Sequence, residues 1–223
     1  MEVGRDTRRA VRAPLVLDRL AAAMPGARIA LDYATTWQLL VATILSAQST
    51  DERVNRVTPA LFARFPDAAA TATATQEELE GLIGELGLFR NKARNVRATA
   101  AILVERHGGE VPADMDALIA LPGVARKTAN VVLANGFGMN EGIAVDTHVG
   151  RVARRLALTR AQDPVAVERD LMRLFPQDRW LAVSDLLIHH GRGPCDARAR
   201  RCDDCPVEDL CPSSWAAGRD DRR

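Results

Sequence analysis

Apolar residues recur at intervals of three and four along most of the chain, as in Ala93, Val96, Ala100 and Leu103, which lays one apolar stripe along a helix. Alternating β-branched runs bounded by turn residues are absent. The pattern predicts an all-α protein with helices near 14–24, 35–48, 51–64, 76–85, 91–107, 114–120, 126–136, 147–157, 164–174 and 179–190. Breaks fall at "MPG", "FPD", "GLF", "HGGEVP", "LPG", "GFGMNEG" and "FPQD". The alanine-threonine stretch Ala68–Thr75 reads as a connecting turn, and the polar end "SSWAAGRDDRR" as a segment that frays. The most apolar run, Trp37 to Ala47, falls short of the ~20 residues that cross a bilayer and reads as a buried helix.

At 223 residues the chain suffices for one large domain or two small ones. The first residues, "MEVGRDTRRAVRAP", lack the apolar stretch of a secretory signal, so a cytoplasmic protein is expected. A formal net charge of +1 means that any nucleic-acid site must be a local basic patch. Of 30 basic residues only Lys92 and Lys127 are lysines. A guanidinium cannot lose its proton in a protein, whereas an amine can become a nucleophile.

Lys127 follows "LPG" in "DMDALIALPGVARKTANVVLANGFG", which reads as helix, tight turn, helix over about 114–136. Pro122 stops the first helix, Gly123 supplies a positive φ, and the second helix starts near Ala125 or Arg126. A helix start with unpaired N–H groups suits a phosphate oxygen; the bland alternative is an ordinary connection. The helix N-terminus, Arg126 and burial would lower the pKa of Lys127, while a nearby carboxylate would raise it, so the net shift is open. Nineteen residues on, Asp146 in "AVDTHVGR" is equally a helix N-cap and a carboxylate that faces a reacting sugar. His148 reads as a surface or packed histidine.

All four cysteines fall in one short segment, Cys195-x6-Cys202-x2-Cys205-x5-Cys211, which argues for a metal centre over disulfides. Thiolates suit zinc or an iron-sulfur cluster; spacing does not separate them, and zinc is the chemical default. Arg192, Arg198, Arg200 and Arg201 would present a basic edge beside it, diluted by Asp203, Asp204, Glu208 and Asp209.

Taken together, "LLVATILSAQSTDERVN", "GLFRNKARN", "EVPADMDALIALPGV", "LPGVARKTANVVLANGFG", "AVDTHVGRV" and the cysteine array resemble the endonuclease III family of DNA glycosylases, in its order and across nearly the whole chain. The resemblance implies a helix-hairpin-helix DNA glycosylase fold. A six-helix barrel domain would span 29–140, and an iron-sulfur cluster domain 1–28 with 141–223, its cluster loop at 195–211. It implies a [4Fe-4S] cluster on Cys195, Cys202, Cys205 and Cys211. The implied reaction is removal of oxidised or reduced pyrimidines from duplex DNA, then β-elimination at the abasic site through a Schiff base on Lys127, assisted by Asp146. Gln48 would fill the gap left by the extruded nucleotide and Leu88 would act as an apolar wedge. The hairpin residues Gly123, Val124, Ala125 and Arg126 would grip phosphate. Lys92 with Arg90, Arg94 and Arg97 would track the backbone. The expected partner is duplex DNA with damaged pyrimidines or abasic sites, bound by a monomer without a membrane, in the cytoplasm at the nucleoid.

This sequence has Ala125 where hairpins of the family commonly carry a second glycine, and a methyl there could oppose a positive φ or close phosphate approach. Two other readings are a monofunctional glycosylase of the same fold and a non-catalytic, metal-bound DNA-binding or redox-sensing protein. The related adenine glycosylase lacks the lysine and carries a further C-terminal domain.

Overall fold

Seven helices in the computed structural model, which describes residues 3–216, open on a Thr or Asp whose side chain accepts from a first-turn N–H. That satisfies a donor the helix itself leaves unpaired. In chain order the helices are α1 (Arg9–Ala23), α2 (Thr36–Leu45), α3 (Asp51–Arg64), α4 (Ala68–Ala72), α5 (Gln76–Ile83), α6 (Phe89–His107), α7 (Met115–Ile119), α8 (Arg126–Phe137), α9 (Thr147–Arg155), α10 (Pro164–Met172) and α11 (Trp180–Arg192). No strand occurs among the described residues, as the apolar spacing predicts, and none of their helices is long and apolar enough to cross a membrane. The polar end expected to fray lies outside the described residues from 217 onward.

Contacts gather into two units, Met1–Ile29 with Gly142–Arg223, and Ala30–Glu141. In the second, α2 is buried over Trp37 and Leu39–Leu45 and packs on α3, α6 and α8. Of the run Trp37–Ala47, expected as a buried helix, Trp37–Leu45 lies in α2, whereas Ser46 and Ala47 fall beyond its end and Ala47 is exposed. Around it, α6 receives α4 and α5, and α7 and α8 pack together through the hairpin. In the first unit, Leu17 and Leu20 of α1 join Val149, Val152, Leu171, Leu187 and Leu210 in one core.

Two elements differ from the sequence reading. Helix α1 begins at Arg9 and carries Pro14 in its interior. An interior proline costs ~3 kcal/mol, but burial of Arg12, Ala13 and Val16 draws the earlier residues into the core. Arg12 Nη1 donates to Leu156 O and Leu210 O, each at 2.7 Å. The expected turn at Ala68 is the short helix α4, because Asp67 caps it at 2.7 Å and Ala68 and Thr71 are buried.

The connection from α7 to α8 is fixed by steric exclusion. Gly123 has φ +79°, and a Cβ there would lie 2.8 Å from Asn95 Nδ2 on α6. The Thr99 hydroxyl donates to Pro122 O at 3.1 Å, so α6 holds the turn from a second point. Gly123→Ala is therefore expected to lower the unfolding free energy by about 2 kcal/mol in urea denaturation. Gly26→Ala, with nothing within 4 Å of the added carbon, should change it by less than about 0.5 kcal/mol.

Candidate functional site

Leu121 and Val124 are buried and anchor the hairpin on either side of Gly123, whose own surface is exposed. Ala125 has φ −93° and ψ 169° and is the N-cap residue of α8, without a side-chain cap. These angles remove the backbone half of the expectation for its methyl group, since extended backbone suits any residue and the left-handed step falls on Gly123. Arg126 and Lys127 follow as the first two residues of α8, both half-buried. Lys127 thus lies within one turn of a helix start whose N-cap residue, Ala125, contributes no side-chain cap.

Asp146 opens α9 in the other unit. The buried Ile143, Ala144 and Val145 lead into it, and Ala144 N donates to the Ser184 hydroxyl at 2.9 Å. Half-buried Asp146 accepts from Val149 N through Oδ1 at 2.8 Å. Capping is real, and Oδ2 takes no part in it. His148 is half-buried, its Nδ1 lying 3.2 Å from Arg151 Nη2, which fits its reading as a packed histidine.

Gln48 and Leu88 share a feature that sequence patterning does not reveal. Both are exposed, with left-handed φ of 54° and 59°; of the described non-glycine residues only Ala157 joins them. Each conformation costs ~1–2 kcal/mol, and outliers of this kind gather where geometry serves function. Leu88 is 55 % exposed, so it is not the buried core leucine that its type suggests. The two loops are neighbours: a Cβ on Gly87 would sit 3.6 Å from Gln48 O.

Lys92 departs from its expected place in a phosphate-tracking strip. Arg90, Arg94 and Arg97 are exposed, whereas Lys92 is 4 % exposed and its Nζ donates to Ser49 Oγ at 2.6 Å. It falls on the α6 face shared with Ala93 and Val96, so the amine points inward and burial lowers its pKa.

The four cysteines line one cavity with Arg155, His190, Arg200 and Glu208. Burial first, then repulsion from the other thiolates, pushes Cys205 and Cys211 up to about 11. Arg155 Nη1 donates to Cys195 O at 3.0 Å, to Asp196 O at 2.7 Å and to Cys195 Sγ at 3.4 Å. Arg200 turns from the expected basic edge to donate to Ser213 O at 3.1 Å, leaving Arg192, Arg198 and Arg201 exposed. No group of three or more His, Cys, Asp or Glu side chains among the described residues closes around a single ion. Thiolates sharing one cavity suit either zinc or an iron-sulfur cluster by their chemistry. Sequence reasoning missed Arg12 and Arg155. For Arg12 the signal was its place on the apolar stripe with Val16 and Leu20.

The HhH-GPD superfamily base excision DNA repair protein model matches residues 41–177. The chain is similar to endonuclease III of Synechocystis sp., 54 % identical over 209 residues covering 94 % of each chain. It is also similar to endonuclease III of Escherichia coli K12, 42 % identical over 196 residues, 88 % of this chain and 92 % of that one. A solved trapped covalent intermediate of endonuclease III with DNA superposes with TM-score 0.89 at 41 % identity, covering 94 % of this chain and 99 % of that one. A thermostable thymine-DNA glycosylase, TM-score 0.82 at 20 % identity, covers 92 % of this chain and 98 % of its own and shares the fold.

The cap at Asp146 separates stability from charge. Asp146→Ala should lose ~1 kcal/mol in urea denaturation, whereas Asp146→Asn, an equally good cap, should stay within ~0.5 kcal/mol of the parent protein.

Proposed function

The chain belongs to the HhH-GPD superfamily of base excision DNA repair proteins, in its endonuclease III family, and from that premise we propose how its residues divide the chemistry. The protein is a DNA glycosylase with abasic-site lyase activity, and DNA is its partner. Its proposed substrates are oxidised or reduced pyrimidines and abasic sites in duplex DNA, met by a monomer in the cytoplasm. The unit Ala30–Glu141 is read as the barrel that carries the hairpin, and the other unit as the cluster domain.

The observation that carries the assignment is Lys127 in the first turn of α8, where Ala125 contributes no side-chain cap. Backbone N–H groups and the positive pole of a helix favour a phosphate oxygen, which would seat the DNA strand beside the amine. Gly123, Val124, Ala125 and Arg126 form that seat. Extruding the nucleotide exposes C1′, at a cost that damage to stacking reduces. Gln48 would fill the gap and Leu88 would wedge the stack.

Deprotonated Lys127 would bond to C1′ as the bond from C1′ to the base nitrogen breaks, the electron pair leaving with the base. Opening of the sugar at O4′ gives an imine, which acidifies the C2′ proton. Loss of that proton expels the 3′ phosphate and cleaves the strand. Asp146 is the proposed group that steadies positive charge on the sugar and helps move protons.

Cys195, Cys202, Cys205 and Cys211 are the proposed ligands of a [4Fe-4S] cluster, supported by their shared cavity and by the family to which the chain belongs. When bound, such a cluster can exchange single electrons. The lysine chemistry needs none, so the ligands serve to organise the loop that Arg155 holds. The purified protein should be brown, with about four irons per chain by metal analysis; a colourless protein with one zinc would overturn the cluster.

Borohydride reduction with abasic duplex DNA tests the reaction. The wild-type chain should give a covalent adduct that disappears in Lys127→Ala, and Asp146→Asn should slow its formation at least tenfold while keeping its fold. On a duplex carrying an oxidised pyrimidine, base release without a trapped adduct would point to a monofunctional glycosylase, and neither base release nor an adduct to a non-catalytic DNA-binding protein.

A further inference from the structure

We infer that Lys92 is a positioning residue that latches the Gln48 loop to the Leu88 loop and so holds both exposed side chains ready for the duplex. The inference rests on the proposed roles of Gln48 and Leu88. The Lys92 side chain reaches the Gln48 loop from the first turn of α6, into which the Leu88 loop leads. Its Nζ donates to the hydroxyl of Ser49, next to Gln48, at 2.6 Å, while its backbone N makes the ordinary helical bond to Leu88 O at 3.1 Å that ties this turn to Leu88. The loops also meet directly, since a Cβ on Gly87 would lie 3.6 Å from Gln48 O.

Burying an ammonium is unfavourable, and a lysine on an exposed helix normally extends its head to water. At 4 % exposure Lys92 does the opposite, and among the described residues no carboxylate pairs with it. Ser49 follows the C-terminal end of α2, the negative pole of that helix, which favours a cation. Residues in left-handed backbone persist where their surroundings over-determine them, and Gln48 and Leu88 are two such residues flanking this one bond. A single enclosed hydroxyl suits a compact ammonium and not the wide guanidinium fork. That accounts for a lysine here in a chain whose other basic residues are, Lys127 apart, arginine.

The test measures single-turnover borohydride trapping on an abasic site in fully paired duplex and on the same site flanked by mismatches, where extrusion is easier. In Lys92→Met and in Ser49→Ala the ratio of paired to mismatched rate should fall about tenfold. The double variant should fall no further than either single one, because each removes the same bond. Gln48→Ala and Leu88→Ala are measured alongside. If those two lower the ratio while Lys92→Met and Ser49→Ala do not, the latch is overturned and the loop reading stands. If none of the four moves the ratio, the loop reading fails and the latch with it. Equal falls on both substrates with a lowered melting temperature would also overturn the latch, by assigning Lys92 to stability alone. Should Lys92→Met not fold, Ser49→Ala still decides, since it leaves the lysine stem in place.

Discussion

Steric exclusion at Gly123 governs where the reactive amine can be. Its φ of +79° disfavours any residue with a Cβ, and the volume such a carbon would take is occupied by the Asn95 amide at 2.8 Å. Both constraints come from α6 and the turn itself, so the direction of α8 is set before any ligand is present. Lys127 stands two residues past the N-cap, where small errors in helix direction move a long side chain by a large distance. Preorganisation of that kind matters because misplacement by about 1 Å can cost a reacting pair about 100-fold. If Lys127 is the proposed nucleophile, packing Asn95 into the turn serves its placement as well as stability.

Much of this was legible in the sequence because the physics is local. Pro122 and Gly123 between apolar stripes mark the turn, and four cysteines within one short segment mark the shared cavity proposed as a cluster site. Gly123 takes the left-handed step that its place after Pro122 predicts, and Ala125 is extended. Long-range packing hid the rest. The helix through Pro14 is held by carbonyls of Leu156 and Leu210, far away in sequence. Lys92 looked like its exposed arginine neighbours, and its inward turn toward Ser49 depends on how α6 meets the loop after α2. The left-handed backbones of Gln48 and Leu88 had no signal, since glutamine and leucine are not residues that ordinarily adopt them.

At Asp146 an observed structural role and a proposed chemical one fall on a single carboxylate. One oxygen caps α9, and the bond to Val149 N fixes the side chain in a single rotamer. A cap of this kind removes the freedom that an exposed aspartate would have, so the second oxygen is presented without further ordering on substrate binding. The contrast with α8 is instructive. There the N-cap is alanine, and a capping side chain would compete for the N–H groups to which a phosphate oxygen could bind. Capping where the protein must be still and its omission where DNA must bind follow from the same unpaired donors at helix starts.

The cysteine loop poses the reverse problem, of holding a segment that has little core of its own. Arg5 pairs with Glu208 at 3.2 Å, Arg12 reaches Leu210 O, and Arg19 pairs with Asp209. Arg12 and Arg19 stand seven residues, two turns, apart on α1, and Arg5 precedes the helix, so the N-terminal segment grips the stretch between Cys205 and Cys211 at three points. Arg12 is the buried member, and its guanidinium and the Cys211 thiolate attract each other. With two thiols pushed up to about 11, deprotonation at neutral pH is unfavourable, and a metal must displace those protons to bind. Each fixed cation beside the thiols lowers that cost. Arg155, against Cys195 Sγ, supplies a second, from α9. Since α9 begins at Asp146, any slack in the cysteine loop would reach the helix that aims the proposed catalytic carboxylate. In this way a metal site that takes no part in bond breaking can still affect its rate.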